Sequence, residues 1–151
     1  MQTRMQISED ITVGAQPSES EFAGLANDGF KTVLNFRTSG EENQPLSPQE
    51  EEKIVRALGM EYINMPVSME TMGAKAVDAF REKLAHLPKP VFAHCDKGMR
   101  AGAMTMMHVA IENGMSGDQT LAQAEQMGFE CDVPELKEFV KGYVDSHQNV
   151  S

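Results

Sequence analysis

The chain has 151 residues, 40% of them hydrophobic and 24% charged, and a net charge of −10. That length is enough for one domain, spanning residues 1–151, with a core that needs no disulfides or metals. The negative charge argues against nucleic acid or anionic membrane as partner, and no apolar run approaches the roughly eighteen residues that membrane insertion needs.

Two cysteines, Cys95 and Cys131, are too few for a disulfide scaffold, and no cysteine or histidine pair has metal-ligand spacing. No metal or other cofactor is therefore expected. The opening "MQTRMQISED" lacks the apolar segment of a secretory leader. The expected location is the cytoplasm, or the periplasm if a leader precedes this sequence.

In chain order, residues 10–16 ("DITVGAQ") read as a first strand, and Ser18 with Glu21 forms a capping pair that opens a helix ending near Gly29. Residues 31–37 ("KTVLNFR") read as a second strand, and residues 38–47 as an acidic surface loop. Ser47 and Glu50, with Pro48 at the first helical position, open a second helix that stops near Gly59. Residues 61–67 form a third strand. Val77, Phe80, Leu84 and Leu87 then stripe one face of a helix, and residues 90–95 make a fourth strand.

The helix after Cys95 is apolar on nearly every side, through Ala101, Ala103, Met104, Met106, Met107, Val109, Ala110 and Ile111. Such a helix belongs at the centre of the fold, and its methionines are core filling. Capping pairs at Ser116–Gln119 and Asp132–Glu135 open two more helices, after stops at Gly114 and Gly128. The last is striped by Leu136, Phe139, Val140, Tyr143 and Val144. Alternating strands and helices imply an α/β class, with a central, mostly parallel sheet flanked by helices.

The run His94-Cys95-Asp96-Lys97-Gly98-Met99-Arg100 joins the fourth strand to that buried helix. Turn N–H groups and a helix N-terminus converge there just above the sulfur, which suits an anion and stabilises a thiolate. Gly98 permits a backbone conformation that a side chain resists. Arg100 offers two parallel donors to a tetrahedral anion. Cys95 is the expected nucleophile and Arg100 the anion-binding cation.

These residues resemble the signature loop of the cysteine-dependent protein phosphatases, His-Cys-x-x-Gly-x-x-Arg-Ser/Thr. Over about residues 8–145 the chain is similar to the phosphatase-like domain of the beta-lactamase hydrolase-like proteins. The resemblance implies a dual-specificity-phosphatase-like fold and hydrolysis of a phosphomonoester on an anionic small molecule or protein. It also implies that His94 holds the loop and favours the thiolate. Two departures stand out. Only four residues separate Cys95 from Arg100, where phosphatases have five, and position 101 is Ala, not Ser or Thr. Four is the spacing of rhodanese-type sulfurtransferases, so transfer of sulfur through a Cys95 persulfide is an alternative. A non-catalytic pocket for an anion or a phosphorylated partner is another.

A phosphatase needs an acid for its leaving group. Glu70, in the loop after the third strand, is the first candidate and Asp78 the second. Arg37, at the end of the second strand, either adds charge to the anion pocket or pairs with Glu41 or Glu42. Asp96, Lys97, Gly98 and Met99 line the turn, and Asp96 must point away from an anionic ligand. His108 reads as a satisfied core histidine, and Cys131 as a bystander thiol.

Overall fold

Four short parallel strands carry the site. In this computed structural model, residues 4–38, 40–41, 44–68, 71–96, 99–127 and 134–147 are described. The strands are β2 (Ile11–Gly14), β3 (Thr32–Asn35), β4 (Glu61–Asn64) and β5 (Val91–His94), and a two-residue edge strand, β1 (Met5–Gln6), precedes them. The sheet order is β1-β2-β5-β3-β4, with β1 antiparallel and the rest parallel. The register aligns Gly14, His94, Asn35 and Asn64 in one row at the C-terminal edge. Pairing stops at that row, so each strand is shorter than its apolar run suggests. The residues just beyond it, including Gln16, Arg37, Val67 and Cys95, are released into loops above one edge. β1 is an addition that the sequence did not signal, because two residues carry no periodicity.

Among the described residues six helices flank the sheet: α1 (Glu19–Asn27), α2 (Pro48–Ala57), α3 (Ala74–Leu84), α4 (Met99–Glu112), α5 (Gly117–Met127) and α6 (Pro134–Ser146). Successive strand residues point to opposite faces. Val33 and Phe92 pack with Phe22, Leu25 and Val55 of α1 and α2. Leu34, Val91 and Ala93 pack with Val77, Phe80, Met104 and Val140 of α3, α4 and α6. The expected α/β architecture is the one observed.

The capping pairs form as expected at three helix starts. Ser18 with Glu21, and Ser47 with Glu50, exchange side-chain and backbone bonds reciprocally. Ser116 and Gln119 do the same at 2.8 and 3.1 Å. Gly59 and Gly114 end helices with φ of 86° and 71°, where a side chain would be strained. Asp132 and Gly128 lie outside the described residues. As its composition implies, α4 is the central helix: Ala101, Met104, Met107 and Ala110 have no exposed surface. Among the described residues, no helix is long and apolar enough to cross a membrane.

Candidate active site

Cys95 follows the last residue of β5 and is buried, 1% exposed, beneath the start of α4. The backbone N–H of Ala101, in the first turn of α4, donates to its sulfur at 3.5 Å. An orphan helix N–H aimed at the sulfur, backed by the partial positive charge of the helix N-terminus, makes this point suited to an anion.

Arg100 also lies in that first turn. Its Nη1 and Nη2 donate to the two carboxylate oxygens of Glu41 at 2.7 and 2.9 Å, and Nη1 donates again to the Val67 carbonyl at 3.1 Å. The terminal edge of the guanidinium is thus occupied. Nε–H and the second Nη2–H form a parallel pair on the other edge, and the Cys95 sulfur favours the Arg100 charge both through its own charge and through a hydrogen bond.

Glu41 accepts further bonds from Arg37 Nε at 3.0 Å and from the Thr38 backbone and hydroxyl at 2.6 and 2.8 Å. The donors of Arg100, assisted by those of Thr38 and Arg37, hold its carboxyl well below the usual carboxylate range against the opposing effect of burial. The loop after β3 is therefore more than an acidic surface. It turns one carboxylate inward, between two arginines.

A second, largely buried set of polar groups lies beside the loop. Arg37 Nη1 donates to Gln16 Oε1 at 2.9 Å, and Gln16 Nε2 donates to Glu51 Oε1 at 2.9 Å. Glu51 Oε2 lies 2.6 Å from His94 Nε2, and His94 Nδ1 lies 3.1 Å from the Cys95 carbonyl oxygen. Arg37, Glu51 and His94 have no exposed surface. Buried charges of this kind persist only when paired and hydrogen-bonded.

The structure gathers Cys95, Arg100, His94, Arg37, Asp96 and Met99 around one strand-to-helix junction. Of the two roles left open for Arg37, the pairing with Glu41 is present. Asp96 Oδ1 lies 3.8 Å from Arg37 Nη2, so its carboxylate faces the buried cation, which answers the requirement that it turn aside. Met99 begins α4 and packs partly buried against the core. Asp78 is engaged elsewhere: it accepts a short bond from the Tyr143 hydroxyl of α6 and lies 3.7 Å from His147 Nε2. Burial and that carboxylate push the Tyr143 hydroxyl up to about 12. His108 Nδ1 accepts from Arg81 Nε at 3.2 Å, but the residue is half-buried at the edge of the core and not within it as expected. Glu70, Lys97, Gly98 and Cys131 lie outside the described residues.

Reasoning from sequence missed Glu51. The signal was available, because Pro48, Glu51 and Val55 follow the helical spacing of one face and all three are buried. Among the described residues, no group of three His, Cys, Asp or Glu side chains could hold a metal ion.

The profile of the phosphatase-like domain of beta-lactamase hydrolase-like protein matches residues 3–112. The chain belongs to this family. It is 35% identical over 108 residues to the beta-lactamase hydrolase-like protein of Agrobacterium fabrum, covering 72% of this chain and 25% of that protein. To the protein of the same description in Xylella fastidiosa Temecula1 it is 30% identical over 125 residues, covering 82% and 29%. The chain thus spans little more than a quarter of the length of these curated relatives. Among solved structures, P. aeruginosa TpbA in complex with phosphotyrosine has the same fold, with a TM-score of 0.75 and 19% identity over 96% of this chain and 87% of that one. The family is that of a cysteine-phosphatase fold, and its phosphatase-like segment contains the whole junction described above.

Proposed function

We propose that the chain hydrolyses a phosphomonoester through a Cys95 phosphocysteine. The observation that carries this reading is the pairing of a sulfur under a helix N–H with a guanidinium whose second edge is left to face the same point. In the first step the Cys95 thiolate attacks phosphorus, an S–P bond forms, and the bond to the ester oxygen breaks. An acid protonates the departing oxygen. In the second step water attacks phosphorus, the S–P bond breaks with its electron pair returning to sulfur, and phosphate leaves carrying the water oxygen. Arg100 and the N-terminal N–H groups of α4 stabilise the charge on the equatorial oxygens throughout.

The acid in this scheme is Glu70. Its loop follows Val67, whose carbonyl Arg100 holds. Asp78, tied to Tyr143 and His147, is not assigned a step. The substrate class is a phosphorylated small molecule or protein side chain. Membership of a phosphatase-like family and a shared fold with a protein crystallised with phosphotyrosine support that class.

The test is hydrolysis of p-nitrophenyl phosphate by wild type, Cys95→Ser and Arg100→Lys. Wild type turns over, Cys95→Ser is inactive, and Arg100→Lys, which loses the planar fork, is strongly impaired. Release of thiocyanate from thiosulfate and cyanide, with the aryl phosphate untouched, would replace this reading by sulfur transfer. Vanadate binding without hydrolysis would leave only an anion-binding domain.

A further inference from the structure

The buried network beside the loop ends on the backbone of the nucleophile, and its chemistry fixes how many protons it carries. Arg37 can only donate, so the Gln16 oxygen must face it and the Gln16 amide N–H must face Glu51. Glu51 therefore receives one donor on Oε1 and presents Oε2 to the ring of His94. The other ring nitrogen faces the Cys95 carbonyl, which can only accept. Both nitrogens of His94 thus look at acceptors. The geometry is satisfied when Nδ1 carries a proton and a second proton lies between Nε2 and the Glu51 carboxylate.

We infer that Glu51 is a positioning residue for the proposed hydrolysis, holding His94 with two N–H groups so that the ring anchors the carbonyl of Cys95. The inference rests on Cys95 being the nucleophile, but its structural half stands without that reading. The ring itself is boxed by Phe22, at 6.3 Å edge-on, and Phe92, stacked at 6.2 Å, so it has no freedom to turn away. The charged and titratable groups around it are Glu51 from α2, Arg37 beyond β3, Tyr62 from β4, and Cys95 and Asp96 beyond β5, with Arg100 and Glu41 over the sulfur. Tyr62 is held in its neutral form, first by burial and then by the Glu51 charge, and its hydroxyl also bonds Glu51. A carboxylate bonded to a charged ring is stronger than a neutral pair, and such a bond fixes the ring more firmly.

Glu51→Gln is a clean probe because the network can refill around it. The new amide oxygen accepts from Gln16, the new amide N–H donates to Nε2, and His94 becomes a neutral ring protonated at Nδ1 alone. Every partner stays bonded while the ring proton is lost. The experiment is side-chain 15N NMR of His94 in the whole chain at neutral pH, together with p-nitrophenyl phosphate kinetics. Wild type shows two N–H-type ring nitrogens. Glu51→Gln shows one, and its kcat falls about 10- to 100-fold, the weight of one hydrogen bond to a charged group, with KM changed far less.

Glu51→Asp, which keeps the charge, retains two ring N–H groups and recovers part of kcat. A single ring N–H in wild type overturns the inference whether or not any variant folds. So does Glu51→Gln with one ring N–H and wild-type kcat. If wild type shows two N–H groups but hydrolyses no aryl phosphate, the positioning role falls together with the proposed function, while the doubly protonated ring stands on the spectrum.

Discussion

Glu41 grips the terminal edge of Arg100 with both carboxylate oxygens, at 2.7 and 2.9 Å, from a loop that is 59 residues away in sequence. In the proposed hydrolysis this pairing would decide which edge of the guanidinium meets a substrate. A free arginine would sweep many rotamers, whereas the Glu41 and Val67 bonds confine this one, so less freedom would be lost if an anion bound there. Arg37 supports Glu41 from beneath, through its own bond at 3.0 Å.

Glu41→Gln should therefore weaken catalysis without touching a substrate atom. Gln has one acceptor oxygen where two are used, and its amide N–H groups would oppose the donors of Arg100 and Arg37. The expected fall in kcat/KM is about 10- to 100-fold, the loss of one charge-assisted bond, read on an aryl phosphate and checked by the inhibition constant of inorganic phosphate. Increased activity in Glu41→Gln would show instead that the carboxylate shields the pocket from anions.

The same carboxylate makes stability depend on pH in a direction that can be worked out. Arg100 first, and then Thr38 and Arg37, depress the folded value below the ordinary 4.5. A depressed acid stabilises the fold fully above the unfolded value, and that stabilisation disappears as pH falls through the folded one. Glu41→Gln should accordingly melt below wild type at pH 7, and the gap should close as pH drops below about 4.5. A gap that stays constant down to pH 3 would mean that the substitution acts through packing and not through charge.

Much of this fold can be read from the sequence because its signals are local. Ser18 with Glu21 and Ser47 with Glu50 announce helix starts through reciprocal bonds made within four residues, and the composition of α4 announces its burial. The Cys95–Arg100 turn is likewise contiguous. Glu41 and Glu51 were harder to find because each lies in an acidic stretch, "GEEN" and "QEEEK", where composition suggests solvent. What selects one glutamate from each stretch is a partner far along the chain, Arg100 or His94. Helical spacing marks Glu51 as inward-facing, and the i,i+4 reach of Arg37 marks Glu41 or Glu42, but nothing local chooses between those two or points to Arg100. The strand ends were overrun for a related reason: pairing register across the sheet, not the apolar run, sets where Arg37 and Cys95 leave the ladder.

Thr105 offers a test of the core alone. Its hydroxyl is buried in α4 and has no hydrogen-bond partner among the described residues. An unsatisfied buried hydroxyl is a net cost, and Val has nearly the same shape without it. Thr105→Val should raise stability by about 1 kcal/mol and Tm by roughly 2–4 °C, measured by thermal melting with and without phosphate. A fall in Tm would imply a bonded hydroxyl, for example to a water inside the helix packing.

The last expectation concerns the residue after Arg100. Ala101 stands where the phosphatase signature has Ser or Thr, and its backbone N–H already reaches the Cys95 sulfur at 3.5 Å. That N–H can support the thiolate as nucleophile and again as leaving group, but a single backbone donor is less than a donor plus a hydroxyl. In the proposed scheme, breakdown of the phosphocysteine, in which sulfur must depart with its electron pair, would be the step that this deficit slows. Wild type should therefore release about one equivalent of aryl alcohol per chain in a fast burst before settling to a slower steady rate. Ala101→Ser adds an O–H donor one bond beyond Cβ at the same position. It should raise the steady rate by up to about 10-fold, within the worth of one hydrogen bond to a charged group, and shrink the burst as breakdown ceases to limit. Ala101 has no exposed surface, so the added oxygen must find room. A melting curve close to that of wild type is needed to show that it has. With the fold intact, an unchanged steady rate and an undiminished burst would mean that the backbone N–H alone is sufficient and that another step limits turnover.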